Sequence, residues 1–149
     1  MNKLTLAIML LFTTAFAAAQ PRLPENYFWK KLSNGLEVVV IENHKVPLAT
    51  IEIAVRNGAY TEGAEYSGLS HLFEHMFFKA NRDYPDQEKF LNRTQELGAI
   101  WNGTTGDERV NYFFTFDKDS LSAGLHFMNS AIRFPIYRTE DMQKERPVV

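Results

Sequence analysis

The 149-residue sequence contains no cysteine, which excludes disulfide bonds and a lipid anchor attached to cysteine. It also lacks an excess of basic residues, because 16 lysines and arginines stand against 18 aspartates and glutamates. Such a balance provides no broad basic field for nucleic acid or for an anionic membrane. The sequence is 45% hydrophobic and has twelve phenylalanines, which is enough material for one core. We therefore expect packing or a bound metal to stabilise the fold.

The first 19 residues have the pattern of a secretory signal peptide. Lys3 is the basic part, residues 4–12 are the apolar part, and residues 17–19 are three small alanines before Gln20. An uncleaved membrane anchor is the alternative, but a spanning helix needs roughly 20 apolar residues. We predict an exported protein, periplasmic or secreted, that begins at Gln20 and has 15 basic and 18 acidic residues. No stable membrane anchor would remain after cleavage.

The rest of the sequence contains both strand and helix signals. A lead-in segment over residues 20–33 ends near the turn Asn34-Gly35. Strands are predicted from β-branched residues and alternation, and helices from apolar residues at helical spacing. The predicted strands are residues 36–41, 48–55, 100–104 and 111–116, and the predicted helices are residues 67–79, 84–97, 118–133 and one that Thr139 caps.

The order of these elements predicts an α+β fold in which helices pack on one face of an antiparallel sheet. The first two strands would be neighbours if the short connection at residues 44–47 forms a hairpin. Pro147 would be unusual inside the last helix, where it would kink the chain. Three segments are predicted: a signal peptide at residues 1–19, the lead-in at 20–33 and a domain from 34 to 149.

The stretch HLFEH, residues 71–75, places two histidines and a glutamate on one predicted helix. At about 100° per residue, His71, Glu74 and His75 lie on the same side of that helix. Phe78 lies on this side too, which disfavours the alternative of a merely solvated face with no ligand. Five apolar residues occupy the opposite face and should anchor the helix to the core: Leu69, Leu72, Phe73, Met76 and Phe77.

Histidines four residues apart can both reach one metal ion, at a Zn–N distance of about 2 Å. Zinc lowers the pKa of a water molecule that it binds to about 7. A carboxylate beside this water can take its proton and pass it to a leaving amine. The spacing therefore predicts zinc ligands at His71 and His75 and a general base at Glu74.

The sequence around this motif resembles the insulinase/pitrilysin family of zinc metallopeptidases, which includes the mitochondrial processing peptidases. HLFEH has the inverted zincin form H-x-x-E-H. Residues 98–114, GAIWNGTTGDERVNYFF, resemble the family segment GA-x-x-N-A/G-x-T, and residues 145–149, ERPVV, resemble the start of its E-R-x-V-V-x-x-E helix. The resemblance covers residues 34–149 and implies the N-terminal part of a peptidase domain with a metallohydrolase-like α/β roll.

The resemblance also implies roles for individual residues. His71 and His75 correspond to the zinc ligands, Glu74 to the general base, and Glu145 to a supporting acidic residue. The family's third ligand would fall three residues past Val149. The implied partners are a peptide or small protein substrate and the remaining domains of a longer chain or a similar subunit. In the family, an extended peptide lies along the edge of a strand. The residues that match this strand and its surroundings, and that the resemblance implies as substrate-binding, are Asn102, Thr105, Glu108 and Tyr112.

Two alternatives to an exported zinc metalloendopeptidase remain open at this stage. The first is a non-catalytic relative or truncated product that binds a peptide or a partner domain. The second is an unrelated exported binding module whose triad is fortuitous. Other residues have weaker claims: His44 and His126 lack ligand spacing, and Trp101 is expected in the core more than at a substrate.

Overall fold

The computed structural model describes residues 23–149. The predicted signal peptide therefore lies outside the described residues. The described residues divide into two compact units, residues 23–46 and 47–149. Within residues 23–149, every helix is too short or too polar to cross a membrane.

The described part of the first unit is an antiparallel hairpin. Its strands are β1, Tyr27–Lys31, and β2, Glu37–Ile41. The connecting turn contains Gly35 at a φ of 89°, a backbone conformation that glycine adopts readily. The condition set for a hairpin between residues 36–41 and 48–55 is not met among the described residues: β2 pairs with β1, a segment we expected to be only a lead-in, and β3 pairs with β5.

The second unit combines a three-stranded antiparallel sheet with four α-helices. The strand order is β3-β5-β4, so β5 is the central strand. In chain order the elements are β3 (Leu48–Val55), α1 (Leu69–Phe77), α2 (Gln87–Glu96), β4 (Ile100–Thr105), β5 (Val110–Asp117), α3 (Leu121–Arg133) and α4 (Thr139–Glu145). Short 3₁₀ turns cover Ala59–Thr61, Ala64–Tyr66 and Lys118–Ser120.

The ends of the helices differ from the predictions at identifiable places. The predicted start at residue 118 is a 3₁₀ turn, where the Asp117 side chain accepts the N–H of Asp119. Thr139 does not cap α4, since Arg138 holds the cap position and no side chain bonds there. The same helix ends at Glu145, so Pro147 follows it and causes no kink.

The core lies between one face of the sheet and the helices, which confirms the predicted α+β arrangement. Strand β5 buries alternate side chains, as a strand with one covered face must. Phe77 lies two residues after HLFEH on α1 and belongs to the buried cluster of this core. The buried residues of this cluster are Phe77, Phe78, Phe90, Leu97, Val110, Tyr112, Phe114, Phe116, Phe127, Met128 and Ala131.

Gly124 is a point where α3 lies close to the sheet. A Cβ atom at this position would overlap the ring of Phe116. Alanine usually stabilises a helix by about 0.5–1 kcal/mol relative to glycine, but overpacking a core costs about 1–3 kcal/mol. We expect Gly124→Ala to lower the free energy of unfolding by about 1 kcal/mol, as measured by urea denaturation. Ser122→Ala, at an exposed position of the same helix, is the control; a stable Gly124→Ala protein would show that the ring is free to move.

Candidate active site

Helix α1 begins at a glycine, and a remote carboxylate caps it. Gly68 adopts a φ of 87° and has no side chain with which to bond the first helical N–H groups. Glu62 replaces the missing cap, accepting the N–H of Gly68 at 2.7 Å and that of Ser70 at 2.5 Å. The hydrogen bond from the Ser70 side chain is the main reason why the pKa of Glu62 is lowered. Glu62 therefore fixes the start of α1, which begins at Leu69, two residues before His71.

The segment before α1 is also tied to the turn between β4 and β5. The N–H groups of Ala59 and Tyr60 donate to the carbonyls of Gly106 and Asp107, at 3.2 and 2.8 Å. Gly58 must lack a side chain here, since a Cβ atom would overlap these same two carbonyls. The segment that leads into α1 and the turn that follows β4 are thus linked through the backbone.

His71 and His75 point their Nε2 atoms toward each other from successive turns of α1. The two atoms are 3.2 Å apart, and the rings meet edge to face with their centroids 4.8 Å apart. Two nitrogens bound to one tetrahedral zinc ion at about 2.0–2.1 Å are about 3.3–3.4 Å apart. The pair therefore fits a shared zinc ion with little rearrangement.

A hydrogen-bond chain fixes the tautomer of His75. Glu145 on α4 lies 2.8 Å from Nδ1 of His75 and 2.5 Å from Nζ of Lys79. The hydrogen bonds from Lys79 and then His75 lower the pKa of Glu145, so this carboxylate is ionised and only accepts. Nδ1 of His75 must then donate a proton, which leaves the lone pair of the neutral ring on Nε2. Histidine ligands in metal sites are commonly oriented by such an outer carboxylate.

Lys79 was missed by the sequence reasoning, although a signal for it was present. It lies four residues after His75, and residues at this spacing share a helix face. In the structure Lys79 follows the end of α1, and its side chain, which pairs with Glu145, is only 17% exposed. Its charge offsets that of Glu145, whose side chain is mostly buried beside His75.

Glu74 is the most buried member of the triad. Its side chain is 10% exposed, and its Oε2 atom lies 4.0 Å from Nε2 of His71. Thr105, the last residue of β4, donates its hydroxyl to the same Oε2 atom at 3.1 Å. The carboxylate also lies against Gly103, where a Cβ atom would overlap it.

The structure brings the three residues of the motif together, and they form the group of possible metal ligands found within residues 23–149. One ligand atom from each of His71, Glu74 and His75 lies within 4.8 Å of the others. The apolar side of α1 is narrower than predicted: Met76 and Phe77 are buried, but Leu69 is 37% exposed. This leaves the helix held to the core mainly at its C-terminal end.

The residues expected near a peptide fall in different surroundings. Asn102 is exposed on β4, which is an edge strand within residues 47–149, and Glu108 is exposed in the following turn. Thr105 faces Glu74. Tyr112, by contrast, is buried on the central strand and stacks on Phe77 with 4.1 Å between ring centroids, and this burial raises its pKa. The structure therefore places Tyr112 in the core and away from a strand edge.

The other residues considered for a functional role, Trp101, His44 and His126, have contacts that are common in the core or on the surface. Trp101 stacks on Phe78 at a centroid distance of 4.6 Å and packs against the core, as expected. His44 lies 3.6 Å from Glu42, and His126 lies 3.4 Å from Asp83, each in an exposed position. Neither histidine belongs to a three-residue ligand group in the described part of the chain.

Comparison with known proteins identifies relatives along most of the chain. The sequence is 29% identical over 119 residues to the insulin-degrading enzyme homolog of Dictyostelium discoideum, covering 80% of this chain and 12% of that protein. It is 28% identical over 125 residues to an uncharacterized zinc protease of Rickettsia felis, covering 84% of this chain and 30% of that protein. The chain thus spans 12% and 30% of the lengths of these two relatives.

A solved structure shares the fold of this chain, and a family model matches its sequence. The crystal structure of a protease from Helicobacter pylori matches 85% of this chain and 30% of its own, with a TM-score of 0.77 and 23% sequence identity, which shows a shared fold. Residues 37–149 match the model of the family described as insulinase, peptidase family M16. Because this match covers most of the sequence and includes the whole HLFEH helix, the chain belongs to the insulinase family of peptidases.

Proposed function

We propose that the protein is a zinc-dependent metalloendopeptidase. The observation that carries this proposal is the 3.2 Å separation of the two histidine Nε2 atoms, with the Glu74 carboxylate beside them. His71 and His75 would hold the ion, and Glu145 would keep His75 in the tautomer that binds it. The name zinc protease, which the relative in Rickettsia felis carries, supports the choice of metal.

Each group has a separate part in the hydrolysis of a peptide bond. A zinc ion bound by the two histidines would polarise the substrate carbonyl and make a bound water more acidic. Glu74 accepts the proton of the attacking water and then donates it to the leaving amine. Burial of this carboxylate against β4 keeps it in one place, so that little rearrangement is needed when it acts.

We propose that an extended peptide pairs with β4. This strand has one edge without a strand partner within residues 47–149, and main-chain hydrogen bonds to such an edge are a common way to hold a peptide. Asn102 is exposed on β4, whereas Gly103 and Thr105 contact Glu74. A peptide paired with β4 would therefore run close to the general base.

A zinc ion held here needs a third protein ligand, since catalytic zinc sites generally have three. Glu145 is poorly placed for this role, because its carboxylate bonds Nδ1 of His75 on the far side of the ring and is shared with Lys79. We propose that the third ligand lies beyond Val149, as the resemblance to the E-R-x-V-V-x-x-E helix implies. Further domains of a longer chain or a similar subunit would complete the enzyme, which is consistent with the greater length of the relatives.

We also propose that the protein is exported. The support is the N-terminal sequence, in which Lys3, the apolar residues 4–12 and three alanines before Gln20 have the order of a signal peptide. The enzyme would then act on peptides or small proteins in the periplasm or outside the cell.

Metal removal tests the proposed activity. The protein, purified as its organism makes it, is incubated with a mixture of unstructured peptides, and the products are identified by mass spectrometry. We expect internal cleavage that 1,10-phenanthroline abolishes and that added Zn²⁺, but not Mg²⁺, restores. Cleavage that persists after complete removal of zinc would refute the proposal, and peptide binding without cleavage would favour the non-catalytic alternative.

The contact between Glu145 and His75 gives a prediction about zinc affinity. Glu145→Gln keeps the size of the side chain but removes the charge that fixes the His75 tautomer, and loss of such an outer partner costs about 10- to 100-fold in metal affinity. We expect a decrease of this size when a chromophoric chelator competes for zinc. Glu140→Gln, at an exposed position of the same helix, is the matched control. Equal zinc affinity in both variants would contradict the role given to Glu145.

A further inference from the structure

We propose that Thr105 is a positioning residue for Glu74, so that the strand expected to bind the peptide also sets the orientation of the general base. This inference rests on the proposed peptidase function and extends it to a residue whose role we first expected to be substrate binding. The hydroxyl of Thr105 would act through the carboxylate and would not touch the reacting atoms.

The first observation is a hydrogen bond between two distant parts of the chain. Thr105 and Glu74 are 31 residues apart, and the Thr105 hydroxyl lies 3.1 Å from Oε2. The Glu74 side chain is 10% exposed, and a buried carboxylate requires donors to replace the water that it has lost. Thr105 supplies such a donor from the end of a strand, whose backbone is held by the ladder to β5.

The second observation is the absence of a side chain at Gly103. A Cβ atom there would overlap Oε1 of Glu74 and would lie 2.9 Å from its Cδ and Cγ atoms. The backbone of Gly103 does not have a positive φ, so glycine is needed for space and not for its conformational freedom. Residues two apart on a strand face the same side, which places Gly103 and Thr105 together against α1.

Gly103 and Thr105 hold the Glu74 carboxylate in different ways. Gly103 provides the space in which Glu74 lies against β4, and Thr105 selects the orientation by bonding one oxygen. The oxygen that it bonds, Oε2, is also the one 4.0 Å from Nε2 of His71. The hydroxyl of Thr105 therefore helps to set where this oxygen lies relative to the proposed ligand.

The test compares two substitutions of nearly equal shape. Thr105→Val keeps the branched side chain, which suits a strand, and removes only the hydroxyl. Thr105→Ser keeps the hydroxyl and removes the methyl group. Both are made in the protein as its organism produces it, together with the control Thr115→Val. Thr115 bonds Thr50 at 2.8 Å on β5 and β3 and has no part in the site.

We expect Thr105→Val to lower kcat roughly tenfold or more, because a hydrogen bond to a charged group is lost where the base must be held. KM and zinc content should stay the same, since neither the strand edge nor the histidines change. Thr105→Ser should recover most of kcat, and Thr115→Val should match the unmodified protein. If Thr105→Val does not fold, Thr105→Ala takes its place in the same comparison.

An unchanged kcat in Thr105→Val would overturn this inference. If KM rose or zinc was lost while kcat stayed the same, Thr105 would have a substrate-binding or purely structural role. Glu74→Gln is measured in the same assay to separate this inference from the proposed function. An inactive Glu74→Gln with a fully active Thr105→Val refutes the role of Thr105 alone, whereas an active Glu74→Gln refutes the base assignment on which both depend.

Discussion

Glu74→Gln is expected to slow peptide cleavage by about 10²- to 10⁴-fold while the protein retains its zinc. Glutamine has the size of glutamate and can still accept the hydrogen bond from Thr105, so α1 and β4 should keep their positions. It cannot take a proton from water, however, and general acid–base catalysis contributes about 10²- to 10⁴-fold to a rate. We expect kcat to decrease by this factor, measured on a peptide identified from the cleavage mixture.

The control for this substitution is Glu65→Gln. Glu65 is exposed in the 3₁₀ turn before α1, so the variant makes the same chemical change close to the site without touching it. It should cleave at the rate of the unmodified protein. If Glu74→Gln cleaved as fast as this control, another group would have to act as the base, and the burial of Glu74 would have only a structural meaning.

His71→Ala and His75→Ala should each weaken zinc binding by on the order of 100-fold or more. The loss of an outer partner alone costs about 10- to 100-fold, and removal of a direct ligand should cost at least as much. The two variants differ in one respect, because His75→Ala also deprives Glu145 of its imidazole partner. Zinc affinity is measured by competition with a chromophoric chelator.

His126→Ala is the matched control for the histidine variants. His126 is 70% exposed on α3 and lies near Asp83, outside the proposed site. Its removal should leave the zinc affinity unchanged. If the loss of His126 weakened binding as much as the loss of His71, the ion would be held by scattered surface groups, and the HLFEH helix would have no special role.

The sequence predicted the elements of the second unit well, because each has a strong local signal. Residues 48–55 alternate between two faces, and the observed strand has the same bounds. In the first unit the strand at residues 36–41 was predicted, but β1 was missed for a reason that is also local. The turn Asn34-Gly35 favours a hairpin between the segments on its two sides, but residues 27–31 show no alternation of polar and apolar residues.

The candidate site was predictable only where its residues lie on one helix. The spacing in HLFEH places His71, Glu74 and His75 together, since helix geometry is fixed over one turn. The contacts with Glu145 and Thr105 join separate elements, and they depend on how α4 and β4 pack against α1. Spacing alone contains no information on such packing.

Tyr112 shows a signal that was present but not used. It alternates along β5 with Val110, Phe114 and Phe116, and all four side chains are buried on the same face of the strand. Alternation therefore predicts a core position for Tyr112, whereas the resemblance alone placed it with substrate-binding residues.

Zinc stoichiometry tests the central claim most directly. The protein is purified as its organism makes it, supplied with zinc and then freed of loosely bound metal. Its zinc content is measured by elemental mass spectrometry, beside that of the double variant His71→Ala/His75→Ala. The account predicts one zinc ion per chain in the unmodified protein and none in the variant. An unmodified protein without zinc, or a double variant that keeps it, would contradict the assignment of the HLFEH helix as the metal site.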